Sequence, residues 1–192
     1  MLHLKMYFIN NKAIEPLALP EGYSFSLYGG ERDIPHWLEC CRNGLVEDDA
    51  DTEIFHEKIT HHEDTDPFSC LFFLDYKGEH IGTATAIYHP KENIGELHMV
   101  GIRSDFRGRG LVKYINNRAI LMLTQKNVDY IYLKTNEWRE NAVRSYISAG
   151  YLPVEYDVGM EERWREVLKN LGIESVDMVD ENGRFFKKLC NE

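Results

Sequence analysis

The stretch GELHMVGIRSDFRGRGLV, residues 95–112, carries the strongest structural signal in the chain. The first half of this stretch is an apolar run of strand length. From Leu111 onward, the apolar residues recur at helical spacing. Between the two, Gly108 and Gly110 allow a tight turn that presents bare backbone N–H groups at the start of a helix. A helix N-terminus is partly positive, and Arg107 and Arg109 add charge, so the turn predicts a phosphate-binding loop. The alternative is an ordinary strand-to-helix turn with two surface arginines.

Two common phosphate-binding motifs do not fit this loop. The chain contains no G-x-x-x-x-G-K-[S/T], and Lys113 stands where a dinucleotide fingerprint has its third glycine. The loop instead resembles motif A of the GNAT superfamily of N-acetyltransferases, which reads [Q/R]-x-x-G-x-[G/A] after a strand. Arg107, Gly110 and Val112 occupy its marked positions, and Val112 replaces the usual Gly or Ala.

A second motif of the same family lies further along the chain. Motif B reads N-x-x-A-x-x-x-Y-x-x-x-G-[F/Y], and its core is reproduced by Asn141, Ala142, Tyr146, Gly150 and Tyr151, with the Asn and Ala directly adjacent. The two motifs at this separation are far more specific than either motif alone. The resemblance covers roughly residues 23–156.

The order of predicted elements indicates a mixed α/β fold. Strands are predicted around residues 5–9, 23–28, 68–76, 80–89, 95–102, 130–135 and 151–156, with two more in the tail 173–189. Helices are predicted around residues 31–43, 109–125, 141–148 and 160–171. This order resembles the GNAT fold: a mixed, mostly antiparallel central sheet with flanking helices and one parallel β–α–β crossover, joining 95–102 to 130–135. We expect a single domain over residues 1–192, with a core at about 23–156 and a C-terminal helix and tail at 157–192.

Composition excludes several classes of protein. The chain has 192 residues and a net charge of −10, which disfavours a nucleic-acid partner. Its four cysteines form no C-x-x-C pair, so neither a zinc site nor a dithiol motif is indicated. The N-terminus shows no signal-peptide pattern, and the apolar runs are too short for a membrane span. We therefore expect a cytoplasmic protein.

One segment, residues 47–66, is strongly acidic, with nine carboxylates and a single lysine. Such a run is usually a solvated surface, and the alternative is a surface that attracts a cationic substrate. His56, His61 and His62 lie in the same segment. Because these histidines show no recognised ligand spacing, we expect no metal site.

Acyl transfer from a thioester to an amine requires a deprotonated amine, a stabilised oxyanion and a proton for the leaving thiolate. Glu96 is the candidate base, because burial in an apolar strand is expected to raise its pKa. It lies six residues before Ile102, the spacing at which GNAT proteins often carry a catalytic glutamate. His98, on the same face of the strand, is the alternative base or an orienting partner. Tyr146 resembles the family's tyrosine that protonates the leaving thiolate.

The resemblance implies acetyl-CoA as the cofactor. The backbone at Val100, Gly101 and Ile102 should contact the pantetheine arm, with an N–H near Val100 as oxyanion donor. The pyrophosphate is assigned to the loop formed by Arg107, Gly108, Arg109, Gly110, Leu111 and Val112. Asn136, Asn141 and Tyr146 complete the expected cofactor contacts.

The predicted function is transfer of an acetyl group to a primary amine of a small molecule or peptide, by direct attack in a ternary complex. Cys70 and Cys190 carry no base signature that would favour a covalent intermediate. A non-catalytic acyl-CoA-binding regulatory module is one alternative, and an O-, S- or longer-chain acyltransferase of the same fold is another. The acceptor is expected to be cationic. For the protein itself we expect neither a nucleic-acid nor a membrane partner, and the sequence leaves open whether it forms a homodimer.

Overall fold

The computed structural model of the chain describes residues 2–11, 13–42 and 44–190. The strands are β1 Leu4–Ile9, β2 Tyr23–Leu27, β3 Leu71–Tyr76, β4 Glu79–His89, β5 Ile94–Ile102, β6 Tyr130–Thr135, β7 Leu152–Glu155, β8 Ser175–Asp180 and β9 Phe185–Cys190. The α-helices are α1 Ile34–Cys41, α2 Thr52–Phe55, α3 Pro67–Cys70, α4 Val112–Thr124, α5 Glu140–Ser148 and α6 Met160–Leu171. Short 3₁₀ turns lie at Glu31–Asp33 and Ser104–Phe106, and a π-helical turn at His56–Thr60 continues α2.

These elements form two compact units, one of residues 13–128 and one built from the described parts of 1–12 and 129–192. In the first unit, β2, β3, β4 and β5 pair in that order, and every pair is antiparallel. The β3–β4 hairpin turns at Lys77 and Gly78, whose φ angles are 51° and 85°. Two successive positive φ angles are characteristic of the tight turns whose twist suits a hairpin.

Helices cover the sheet of this first unit because its strands are apolar. The core around α1 and α2 contains Tyr28, Ile34, Trp37, Leu38, Cys41, Phe55, Ile59, Leu71 and Phe73, all buried. The Trp37 ring meets the Phe55 ring edge-on, with centroids 5.2 Å apart. Removal of so much apolar surface from water stabilises the layer of helix on sheet.

The second unit contains the parallel pair of the fold. Its strands are ordered β6, β1, β7, β8 and β9, and β1 is antiparallel to both β6 and β7. β7 and β8 are parallel, with Val154 opposite Val179, and α6 connects them along the chain. Parallel neighbours require such a long connection. Trp164 and Leu168 of α6 are fully buried.

The predicted mixed α/β class, with a mostly antiparallel sheet and flanking helices, is confirmed. The parallel crossover seen within a unit is β7–α6–β8, which the family pattern did not predict. Residues 95–102 and 130–135 belong to different units, so their parallel pairing stays a prediction, as does the single domain. None of the helices in the described residues combines the length and apolar character that a membrane span requires.

Three elements begin three residues later than predicted. The strand expected at 68–76 begins only at Leu71, because Asp66 caps a helical turn over Pro67–Cys70 by accepting a hydrogen bond from the Phe68 N–H at 3.2 Å. The helix expected at 109–125 begins at Val112, because the positive φ of the preceding glycines is not helical. The helix expected at 31–43 opens as a 3₁₀ turn and becomes α-helical over Ile34–Cys41, and its expected end at residue 43 lies outside the described residues.

The contact between β5 and α1 depends on Gly101. A Cβ added at this residue would lie 2.5 Å from the carbonyl oxygen of Cys40 and 2.9 Å from its carbonyl carbon. These are backbone atoms of α1, so they cannot move aside as a flexible side chain can. Gly101 is therefore required for the close approach of strand and helix.

We predict that Gly101→Ala lowers the free energy of unfolding by about 1–3 kcal/mol, because the new methyl group forces strand and helix apart. Urea unfolding followed by circular dichroism measures the change. Gly29→Ala is the matched control, since its added Cβ would meet only the flexible Asp33 carboxylate, at 3.3 Å. The control should change stability by no more than about 0.5 kcal/mol. Equal effects of the two variants would show that Gly101 is not confined by Cys40.

Candidate active site

A bulge interrupts β5 within the stretch of residues 95–112. Thr85 pairs with His98 and Thr83 with Gly101, so Met99 and Val100 together face a single residue of β4. Met99 has a φ of 50°, an uncommon conformation for a residue with a side chain. A bulge bends its strand and redirects neighbouring groups away from the regular ladder, and such bulges are frequent beside active sites.

Glu96 lies three residues before this bulge and is only 5% exposed. Three imidazole rings surround its carboxylate. His89 Nε2 lies 3.2 Å from Oε2, His62 Nε2 lies 3.7 Å from the same oxygen, and His98 Nδ1 lies 3.7 Å from Oε1. The alternation of the strand therefore places Glu96 and His98 on one face, as predicted.

His89 links Glu96 to a second carboxylate. Its Nδ1 lies 2.9 Å from Asp64 Oδ2, while Nε2 faces Glu96. Burial alone would lower the pKa of His89, but the hydrogen bonds to Asp64 and Glu96 outweigh burial and raise the pKa above its ordinary value. The imidazolium form is thus favoured between two carboxylates, and it holds both of them in place.

His98 has the opposite character. Burial lowers its pKa, the nearby His62 lowers it further, and the Glu96 carboxylate only partly compensates. Its Nε2 lies 3.0 Å from the carbonyl oxygen of Lys58. A carbonyl oxygen can only accept, so this nitrogen carries the proton and Nδ1 presents its lone pair toward Glu96.

Sequence reasoning missed the roles of His62, His89 and Asp64. His89 could have been found from the β4–β5 hairpin register, because Ile87 pairs with Glu96 and His89 is the next residue on the same face of β4. His62 and Asp64 left no comparable signal, since the acidic segment approaches β5 only through the tertiary fold.

The loop after β5 has the conformation that its glycines predict. Gly108 and Gly110 have φ angles of 75° and 68°, with open space where a Cβ would lie. Arg107 donates from Nε to the Ile102 carbonyl and from Nη2 to the Arg42 carbonyl, both at 2.9 Å. These bonds attach the loop to the end of β5 and to the residue after α1.

The second loop arginine also has local partners. Arg109 donates from Nη2 to the Asp105 carbonyl at 2.8 Å, and its guanidinium lies 4.5 Å from the centre of the Phe106 ring. Leu111 follows as the N-cap residue of α4, which begins at Val112. Both arginines therefore shape the loop in addition to supplying the positive charge expected of them.

The remaining predicted site residues lie in the unit that contains α5. Tyr146 is buried, and its ring meets that of Tyr151 edge-on at 5.9 Å. Burial raises the pKa of Tyr146 to about 12, although the Arg139 guanidinium acts in the opposite direction. Tyr146 therefore keeps its proton at neutral pH. Asn141 is exposed in the first turn of α5, and the Asn136 side-chain oxygen lies 3.0 Å from His3 Nδ1.

The buried thiols are poor nucleophiles. Burial raises the pKa of Cys40 and of Cys70 to about 12 and that of Cys41 well above its ordinary value. Since the thiolate is the reactive form, none of these three cysteines is activated at neutral pH.

Comparison with known proteins places these features in a family. The model of the Acetyltransferase (GNAT) family matches residues 32–151, more than half of the chain, so the chain belongs to this family. The predicted membership is confirmed.

The individual relatives and solved structures share only low sequence identity with this chain. N-acetylaspartate synthetase of Rattus norvegicus is 28% identical over 124 residues, which are 65% of this chain and 38% of that protein. The chain thus spans about two fifths of the length of this curated relative. Among solved structures, a GCN5-related N-acetyltransferase from Sphaerobacter thermophilus superposes with a TM-score of 0.63 at 19% identity, over 80% of this chain and 49% of that one. Spermidine N-acetyltransferase from Vibrio cholerae, in complex with CoA and spermine, superposes with a TM-score of 0.53 at 18% identity. The match covers 68% of this chain and 81% of that one. At these identities the structural likeness shows the fold.

Proposed function

We propose that this chain is an acyl-CoA-dependent N-acetyltransferase, which transfers the acetyl group of acetyl-CoA to a primary amine by direct attack in a ternary complex. The observation that carries the proposal is the buried Glu96 carboxylate, held among imidazoles just before the bulge of β5 in a chain of the GNAT family. A buried, hydrogen-bonded carboxylate beside a cofactor strand is a suitable proton acceptor.

In this mechanism Glu96 removes the proton of the attacking amine, directly or through a water molecule. His89, hydrogen-bonded to Asp64, fixes the orientation of the Glu96 carboxylate. The neutral His98 is the second candidate base, because its Nδ1 lone pair lies on the same face of the strand. An N–H of the bulge near Val100 stabilises the oxyanion that develops on the thioester carbonyl.

The cofactor binds along β5 and the loop that follows it. The backbone at Val100, Gly101 and Ile102 contacts the pantetheine arm, and the N–H groups of residues 107–112 with the start of α4 bind the pyrophosphate. The bonds of the loop arginines to backbone carbonyls support this proposal, because they hold the loop in one conformation before any ligand arrives. Asn136 and Asn141 are proposed as further cofactor contacts.

Tyr146 protonates the leaving thiolate of coenzyme A. Its pKa of about 12 keeps the phenol protonated at neutral pH, which is the state that a proton donor to the leaving thiolate requires. The protonated state of Cys40, Cys41 and Cys70 supports direct attack by the amine over an acyl-enzyme.

The acidic segment suggests a cationic acceptor. Several of its carboxylates have structural roles: Asp51 caps α2, Asp66 caps α3, and Asp64 pairs with His89. Asp48 and Asp49 are exposed and precede these caps. Their field would attract a protonated amine before it docks.

An amino acid is the second candidate acceptor. The relatives named N-acetylaspartate synthetase favour it, since that name describes the acetylated product of an amino acid. An acceptor of this type carries carboxylates, which the acidic segment would repel. The dependence of the rate on salt therefore distinguishes the two classes of acceptor.

Gly110→Val should weaken coenzyme A binding by at least about tenfold, about 1.4 kcal/mol or more, because a β-branched residue at positive φ distorts the loop and blocks the approach of the pyrophosphate. Isothermal titration calorimetry measures the affinity. Gly172→Val is the control, since Gly172 also has a positive φ, 62°, and open space around it, at the end of α6. Undiminished affinity in Gly110→Val would refute the assignment of the loop.

Tyr146→Phe should lower kcat by about 10²-fold, a typical contribution of a general acid, and leave coenzyme A affinity nearly unchanged. Steady-state kinetics and calorimetry measure the two quantities. Tyr151→Phe is the control: among the described residues, the Tyr151 hydroxyl is buried without a hydrogen-bond partner, so its removal should be nearly neutral. An unchanged kcat in Tyr146→Phe, with chemistry rate-limiting, contradicts the role.

For a cationic acceptor, kcat/KM should fall by about tenfold between low and high salt while kcat stays nearly constant, because salt screens attraction before docking. The double variant Asp48→Asn/Asp49→Asn should lower kcat/KM at low salt in the same way. Glu15→Gln/Glu21→Gln removes the same charge from exposed residues outside the acidic segment and serves as the control. If kcat/KM is insensitive to salt, or rises with salt for an anionic acceptor, the exposed carboxylates of the acidic segment do not attract the acceptor.

A further inference from the structure

We propose that His62, Glu96 and His98 form a binding site for a divalent transition-metal ion of the zinc class, and that metal in this site stops acyl transfer. The site is distinct from the cofactor loop. Its inhibitory effect rests on the proposed function, because it follows from the role of Glu96 as base, whereas metal binding itself rests on the geometry alone.

The three side chains offer ligand atoms at a suitable separation. One nitrogen of each histidine and a carboxylate oxygen of Glu96 all lie within 4.8 Å of one another. The His62 Nε2 to Glu96 Oε2 and His98 Nδ1 to Glu96 Oε1 distances are both 3.7 Å. Ligand atoms around tetrahedral zinc lie about 3.4 Å apart, given bonds of about 2.0–2.1 Å. The two nitrogen-to-carboxylate distances exceed this value by a few tenths of an ångström, and the largest separation among the three ligand atoms is within 4.8 Å, so a side-chain shift of up to about 1.4 Å closes the site.

The two histidines are already oriented as metal ligands. His98 Nε2 lies 3.0 Å from the Lys58 carbonyl oxygen, and His62 Nδ1 lies 3.3 Å from the Glu63 carbonyl oxygen. Since both partners can only accept, each imidazole donates from the nitrogen that faces away from Glu96. The nitrogen facing Glu96 then carries a lone pair, and metal-binding histidines use the same backbone hydrogen bonds to fix their tautomer.

An outer partner also orients the carboxylate. His89, hydrogen-bonded to Asp64, lies 3.2 Å from Glu96 Oε2 and supplies the kind of second contact that ligating carboxylates have in metal sites. The ligands combine two imidazoles with one carboxylate, which favours zinc, cobalt, nickel or copper over the all-oxygen sites of magnesium and calcium. Three protein ligands leave a further coordination position for water or a substrate atom.

The surroundings allow a cation to enter. The side chain of Glu96 is 7% exposed, and those of His62 and His98 are 26% and 20% exposed, so the site is shielded but reachable. The nearest lysine along the chain, Lys58, has its ammonium group 2.7 Å from Glu57. Asp64 adds negative charge on the far side of His89. A metal ion that engages the Glu96 oxygens would prevent them from accepting the proton of the amine.

The binding test uses the full chain, treated with EDTA and dialysed, and titrated with Zn²⁺ by calorimetry. We expect one Zn²⁺ per chain with a Kd in the micromolar range or tighter. His62→Gln and His98→Gln should each weaken binding by at least about tenfold. Co²⁺ substitution in the unchanged chain should give the intense visible absorption of a tetrahedral site, which requires no variant to fold.

The matched control uses two histidines from the same acidic segment. The His56 and His61 rings lie 6.2 Å apart and adjoin each other, and His56 Nδ1 lies 3.1 Å from Thr60 Oγ1. His56→Gln/His61→Gln should leave zinc affinity unchanged. The absence of stoichiometric binding, or binding that depends on His56 and His61 instead of His62 and His98, overturns the site.

The activity arm compares coenzyme A release with and without Zn²⁺ in each chain. Zinc should abolish turnover in the unchanged chain, and EDTA should restore it. In His62→Gln, the ratio of the turnover rate with zinc to the rate without zinc should approach one. If no amine is acetylated at all, the proposed function fails, while the titration still decides the metal site. If zinc binds as described but turnover is unaffected, both the inhibition and the role of Glu96 as base are wrong.

Discussion

The structure around β5 depends on one constraint: a carboxylate that is 5% exposed must lie against a group that can share its charge. His89 satisfies this constraint from β4, while His62 and His98 approach from two other directions with their lone pairs toward Glu96. Asp64 is hydrogen-bonded to the other ring nitrogen of His89 and stabilises the protonated form of this histidine. The acidic segment 47–66 accordingly does more than solvate a surface, because two of its residues contribute to the environment of Glu96.

The same strand meets two further constraints within a few residues. At Met99 and Val100 it bulges, with a φ of 50° at Met99, and at Gly101 it approaches the backbone of α1 so closely that no side chain fits. Bulges and glycines both weaken a regular strand. Their presence beside a buried carboxylate supports the proposal that this part of the sheet serves a reaction as well as stability.

Much of this was predictable from the sequence. The bounds of β6 and α6 and the family itself follow from local periodicity and from two motifs, and the structure and comparisons confirm them. The start of β3 was wrong, because a capping aspartate outweighed an apolar run. The cluster around Glu96 could not be predicted in full, because His62 meets the strand through tertiary packing that leaves no spacing signal along the chain. The β7–α6–β8 crossover lies beyond the region that the family motifs cover.

The central claim is that this chain transfers an acetyl group to an amine by direct attack. It is tested most directly by the rate of coenzyme A release from acetyl-CoA, measured with the EDTA-treated protein against a panel of amines, polyamines, aminoglycosides, amino acids and peptides. The account predicts release that requires an acceptor, is selective for one class of primary amine, and leaves no acetyl group on the protein by mass spectrometry. Binding of coenzyme A without release for any acceptor, or release through an acetylated protein, would contradict it.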